Sequence, residues 1–130
     1  MPEMDEPRLI LAEPQLLVAN VARSCDFFVG KLRFEMAFSY GEPPFYAQVR
    51  RGGARLSLRF VRPPIFAPDL RDRERDVLSA TIVVEGIESL FRAGESACAA
   101  LHQPLRREPW GSTIFIVADP DGNLIAFAGE

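Results

Sequence analysis

Near its C-terminus the chain reads Phe115-Ile116-Val117-Ala118-Asp119-Pro120-Asp121-Gly122-Asn123-Leu124-Ile125-Ala126-Phe127. Pro120 fixes φ at the first central position and Gly122 accepts a positive φ, so Asp-Pro-Asp-Gly is a turn. The apolar runs on either side are too short for helices and are bounded by turn residues. They predict a closing hairpin of strands at 113–118 and 123–128. The half of the chain that ends in this hairpin echoes an earlier half, and the echo restricts the fold to a duplicated scaffold.

In the first half, residues 14–19 predict a short strand and residues 21–32 a helix. Asn20 is a suitable N-cap, and Val21, Cys25, Phe28, Val29 and Leu32 recur at helical spacing. Strands follow at 34–40, 45–50 and 54–61, separated by Gly41-Glu42-Pro43-Pro44 and Arg51-Gly52-Gly53. The second half restarts with a strand at 79–84, a helix at 87–101 and a weak strand at 105–108, before the closing hairpin. Val18-Ala19-Asn20-Val21-Ala22-Arg23 leads into the first helix as Val84-Glu85-Gly86-Ile87-Glu88-Ser89 leads into the second. Strand, helix and three strands therefore occur twice. The expected fold is α+β: paired βαβββ modules forming an eight-stranded, cup-shaped mixed sheet with helices on its outer face. The modules span 13–61 and 78–130 within one domain (13–130). A charged, proline-rich linker (62–77) joins them across the surface. Residues 1–12 are an N-terminal tail or an added edge strand, the strand being carried by Leu9-Ile10-Leu11.

A chain of 130 residues is long enough to close a core without disulfides or metal. Its net charge of −3 offers no general attraction for nucleic acid or an anionic membrane. No apolar run approaches membrane-spanning length, and residues 1–12 lack the form of a secretory leader. A soluble, cytoplasmic protein is expected. Cys25 and Cys98 are too few for a disulfide framework, and both fall on predicted helices as small buried hydrophobes.

Alternation assigns the faces of the strands. Leu56, Leu58 and Phe60 share one face of strand 54–61, while Arg55, Ser57 and Arg59 share the other. The same parity turns Leu16, Val18, Ala80, Ile82, Val84, Ile125 and Phe127 toward the helices. It turns Glu13, Gln15, Leu17, Ser79, Thr81, Val83, Leu124 and Ala126 toward the cup. Phe38 and Tyr40 share a face, Tyr46 lies on the next strand, and Trp110 lies on the loop before the closing hairpin. Each offers a ring for stacking, and Tyr and Trp add a polar edge. Arg55 and Arg59 are candidate partners for carboxylate, phosphate or carbonyl oxygens. His102, the single histidine, is expected just past the second helix in a surface or capping role.

These segments resemble the vicinal oxygen chelate superfamily, which includes glyoxalase I, extradiol dioxygenases and bleomycin-resistance proteins. The carriers are Val18 through Phe28, Lys31-Leu32-Arg33-Phe34, Pro109-Trp110-Gly111 and Asp119-Pro120-Asp121-Gly122-Asn123. The chain departs from the pattern at Arg33, where glycine is usual, and at Asn20, where aspartate is usual. In the superfamily's enzymes a divalent metal is held by His, Gln or Glu side chains from four strands. The resemblance carries those positions onto Glu13, Ser57, Ser79 and Ala126, of which only the first is a credible ligand. No metal and no cofactor is therefore expected.

The resemblance is nearest to the bleomycin-resistance branch, whose members are dimeric binders. It implies a small, partly aromatic and anionic ligand, with antibiotics one candidate class, held by Phe38, Tyr40, Tyr46, Arg55, Arg59 and Trp110 at a homodimer interface. The alternative is a lyase, isomerase or dioxygenase of the same superfamily, with an atypical metal site or with Glu13 and Arg59 as an acid–base pair.

Overall fold

The computed structural model describes residues 6–95 and 101–130. It contains eight strands, β1 (Gln15–Val18), β2 (Glu35–Tyr40), β3 (Tyr46–Arg51), β4 (Ala54–Phe60), β5 (Ala80–Val83), β6 (Leu101–Arg107), β7 (Thr113–Ala118) and β8 (Leu124–Gly129). The helices are α1 (Val21–Gly30), α2 (Leu70–Arg73) and α3 (Ile87–Glu95). The strands divide into two four-stranded sheets of the same topology, ordered β1-β4-β3-β2 and β5-β8-β7-β6. In each sheet the first strand runs parallel to the last, and the remaining pairs are antiparallel. The order strand, helix, three strands thus appears twice, as the sequence echo implies.

Local chemistry explains the elements. Asn20 is extended, and its side-chain oxygen accepts from the Arg23 amide at 2.9 Å, capping α1. Val21, Ser24, Cys25 and Phe28 recur at helical spacing and are buried against the first sheet. Beyond α1, Arg33 adopts a left-handed φ of 60°, and the Phe34 amide then closes onto the Phe28 carbonyl at 3.0 Å. A glycine at this place would meet the same backbone requirement without a Cβ.

One main core lies on the helix-facing sides of both sheets. Leu16, Val18, Val49, Leu56 and Leu58 pack with Val21, Cys25 and Phe28, and Ala80, Phe115, Val117, Ile125 and Phe127 join Ile87. Phe115 stacks on Phe127 at 5.0 Å, and Phe28 meets Phe34 edge-on at 5.7 Å. A smaller cluster of Ile116, Leu124 and Ala126 covers the other face of the second sheet.

The Asp119–Asn123 turn does more than reverse the chain. Asp119 Oδ1 accepts from the Asp121 and Asn123 amides at 2.9 and 2.8 Å, an Asx-type arrangement that rigidifies the turn. Asp121 Oδ1 then accepts from the Ala19 amide at 3.2 Å and from Arg23 at 3.0 Å. Asn123 donates to the Leu17 carbonyl at 3.0 Å and accepts from Ser79 at 2.8 Å. The last hairpin therefore grips the corner between β1 and α1 and ties the two halves together.

Several details refine the expectations or differ from them. Residues 62–77 include the short helix α2, whose Arg71 donates to Val77 and Gly122 carbonyls at 2.9 and 2.6 Å while lying over the Phe66 ring. That clamp gives a proline-rich segment a fixed place despite its weak periodicity. The weak strand begins at Leu101 instead of 105, so His102 belongs to β6 and shares a 2.9 Å hydrogen bond with Asp76. Leu9-Ile10-Leu11 forms no strand with either sheet, and Leu9 is fully exposed. Phe60 keeps its helix-side parity but lies beyond the cover of α1 and is 44% exposed. Cys98 lies outside the described residues, while Cys25 is buried, and burial raises its thiol pKa as expected for an inert core cysteine.

Candidate functional site

Register places the candidate residues in rows across the helix-free face of the first sheet. Tyr40, Tyr46, Arg59 and Leu17 form one row, each opposite its neighbour on the adjacent strand. Phe38, Gln48, Ser57 and Gln15 form the next. Glu35, Arg50 and Arg55 form a third. An irregularity between Met36 and Phe38 shifts β2 so that Phe38 joins the tyrosines on this face.

The rows differ in chemistry. Phe38 and Tyr46 lie with ring centroids 5.7 Å apart, and the Tyr46 hydroxyl donates to Ser57 Oγ at 3.1 Å. Beneath these rings Gln48 and Ser57 are buried, whereas Phe38 and Tyr40 remain open to solvent. In the third row Arg50 pairs with Glu35 at 3.0 Å, and Arg55 pairs with Glu13 at 3.6 Å. The anticipated Glu13–Arg59 pair does not form, because Glu13 precedes β1 and lies beside Arg55.

Trp110 stands apart from these residues, on the turn between β6 and β7, and is 72% exposed. The turn is fixed from below. Glu108, which is buried, accepts from Arg106 at 3.0 Å and from Gln103 at 3.3 Å. The Gly111 amide closes onto the Glu108 carbonyl at 2.9 Å, with Gly111 at a positive φ of 107°. The indole is thus held outward on a rigid support.

Sequence reasoning missed Gln48, Gln103 and Glu108. Gln48 was within reach of the same parity that pairs Tyr46 with Arg50 along β3. Gln103 and Glu108 carried no such signal, because β6 has register irregularities after Leu101 and again after Gln103.

The superfamily's metal positions can be tested against the register. The β1 residue opposite Ser57 is Gln15, and the β5 residue opposite Ala126 is Thr81. Glu13 lies before β1 and Ser79 lies before β5, where Ser79 is engaged by Asn123. One amide oxygen, two hydroxyls and a methyl group are a poor set for the ions these enzymes use. Among the described residues no group of three or more His, Cys, Asp or Glu side chains converges. The residues present do not fit a metal centre of the family's kind.

A cavity of about 920 Å³ opens elsewhere. It lies between the halves, where the β3–β4 turn meets the β5–α3 corner, lined by Phe34, Leu56, Ile82, Val84, Leu90 and Phe127, with Arg51 and Arg55 among its polar residues. Of the six candidate ligand residues only Arg55 borders it. Within a single chain the helix-free face is therefore an open platform.

No described helix is long and apolar enough to cross a membrane. No protein of curated function matches the sequence. Among solved structures, the bleomycin-binding protein of bleomycin-producing Streptomyces verticillus, in complex with copper(II)-bleomycin, superposes with a TM-score of 0.76. It is 24% identical, and the alignment covers 96% of this chain and 99% of that one. TioX from Micromonospora sp. ML1 gives 0.70 at 21% identity, covering 90% and 95%. A glyoxalase-related enzyme from Clostridium phytofermentans gives 0.73 at 12% identity, covering 97% and 98%. These likenesses establish the fold. The sequence pattern of the family itself matches residues 10–127, and the chain belongs to the glyoxalase/bleomycin resistance protein/dioxygenase superfamily.

Proposed function

We propose that this protein is a binder, holding a small, partly aromatic molecule against the helix-free face of its first sheet without a metal. The observation that carries the reading is the clustering of Phe38, Tyr40 and Tyr46 above the buried Gln48 and Ser57, in place of a metal-ligand set. Exposed rings over a hydrogen-bonded floor suit a flat ligand with polar edges. Arg55 and Arg59 supply polar anchors on the same face, and Trp110, which stands apart from that face within one chain, supplies a further stacking surface from the partner copy of a dimer.

An open platform needs a second wall to exclude water, and a homodimer supplies one. Exposure of Leu9, Ile10 and Leu11, without a strand partner in their own chain, supports such pairing. Antibiotics are one candidate ligand class, since the Streptomyces verticillus protein of the same fold binds bleomycin. Proteins of one fold serve different chemistries, so the ligand is to be found by screening.

Trp110, the chain's single tryptophan, is an intrinsic probe. Titration with aromatic metabolites and antibiotics is expected to change its emission and raise the melting temperature of the native state. Trp110→Ala, followed by thermal shift, is expected to weaken binding by about 2–4 kcal/mol. Unchanged affinity removes Trp110 as an anchor. A stoichiometric transition metal in the purified protein defeats the metal-free reading.

A further inference from the structure

We infer that the ligand carries a single anionic group beside its aromatic plane, and that Arg59 is the residue that selects it; this rests on the binding face proposed above. The inference comes from how charge is distributed over the three rows. In the third row each arginine already faces a carboxylate, Arg50 with Glu35 at 3.0 Å and Arg55 with Glu13 at 3.6 Å. Those pairs are exposed and individually weak, yet they cancel the field of their row for an approaching ligand. The middle row, Phe38, Gln48, Ser57 and Gln15, carries no formal charge. In the first row Arg59 stands between Tyr46 and Leu17, and among the described residues no carboxylate comes within ion-pairing distance of it.

Among the described residues the face therefore presents one uncompensated cation, Arg59, and it adjoins the tyrosines. Strands lie about 4.8 Å apart, so the Arg59 backbone is about 5 Å from that of Tyr46 and about 10 Å from that of Tyr40. A ring resting on the tyrosines places a carboxylate, sulfonate or phosphate substituent within reach of the guanidinium. Two N–H groups of that planar fork can then meet two oxygens. A neutral or cationic substituent at that point leaves the guanidinium facing no acceptor charge, so binding favours the anion.

The test compares two probes of one shape, naphthalene-2-carboxylate and naphthalene-2-carboxamide, by calorimetry and thermal shift at low and high salt. Wild type is expected to bind the acid about tenfold more tightly than the amide, with the preference shrinking as salt rises. Arg59→Gln is expected to lose that preference by weakening the acid alone. Arg59→Lys, which keeps the charge but not the fork, retains part of it, and the paired change Glu35→Gln with Arg50→Gln, which leaves the third row neutral, retains it in full. Melting temperatures of the variants without ligand confirm that each is folded. Equal affinity of wild type for acid and amide, or a preference that survives Arg59→Gln, overturns the role of Arg59 while leaving the aromatic face as the binding site. Binding of neither probe into the millimolar range, or binding that Tyr40→Ala leaves unchanged, overturns the face itself and the inference with it.

Discussion

Arg33 holds a left-handed backbone with a φ of 60°, a region that costs a residue bearing a Cβ roughly 1–2 kcal/mol. Arg33→Gly relieves that cost and adds back part of it as chain entropy in the unfolded state. The expected net result is a gain of about 0.5–1 kcal/mol in unfolding free energy, read from denaturant midpoints. Asp119 is the second residue whose surroundings set a measurable property. Burial raises its pKa above the usual carboxylate range, the nearby Asp121 charge adds to the effect, and bonds from Asn123 and Asp121 only partly oppose it. The folded chain thus holds the Asp119 proton more tightly than the unfolded chain does. This group's contribution to stability is complete at acid pH and declines as pH rises through the folded value. Asp119→Asn does not ionise, so the stability gap between wild type and this variant is widest at acid pH and narrows toward neutrality. Denaturation of both proteins from about pH 4 to about pH 8 checks the sign. A gap that widens with pH contradicts it.

At the level of elements, the β7–β8 turn is the principal fastener between the halves. Asn123, 3% exposed, serves three partners at once: the Leu17 carbonyl, the Asp119 carboxylate and the Ser79 hydroxyl. Asn123→Ala strands those buried groups and is expected to cost about 2–4 kcal/mol in chemical denaturation. Asp119-Pro120-Asp121-Gly122 announced this hairpin because turn chemistry is local, and strand β7 occupies the span the sequence predicts. The cap at Asn20, the alternation along β4 and the duplicated element order were legible for the same reason. What the turn holds was not legible, because Ala19 and Asp121 are 102 residues apart and no periodicity reports such a contact. The onset of β6 was missed because Leu101-His102-Gln103-Pro104 lacks clean alternation, and its pairing with β7 is irregular. Helix α2 escaped notice for a different reason. It is four residues long, and its place depends on the Arg71 clamp more than on propensity.

For the whole molecule, parity told which side chains share a face, but not how two sheets stand toward each other. That relation depends on packing between surfaces distant in sequence, so the expected cup and the observed inter-half cavity differ in place. In one chain the aromatic face is a platform, and a dimer is expected at tens of micromolar in sedimentation or light scattering. A monomer under those conditions removes the second wall. The grip of the Asp119–Asn123 turn on Leu17, Ala19 and Arg23 has a temporal consequence as well. Synthesis delivers Ala19 102 residues before its fastener Asp121. A nascent chain whose Asp119–Asn123 turn is still inside the ribosome cannot lock strand β1, however long that strand has been outside. Protease digestion of stalled nascent chains is the place to see it: resistance of the first half arrives only once that turn has emerged.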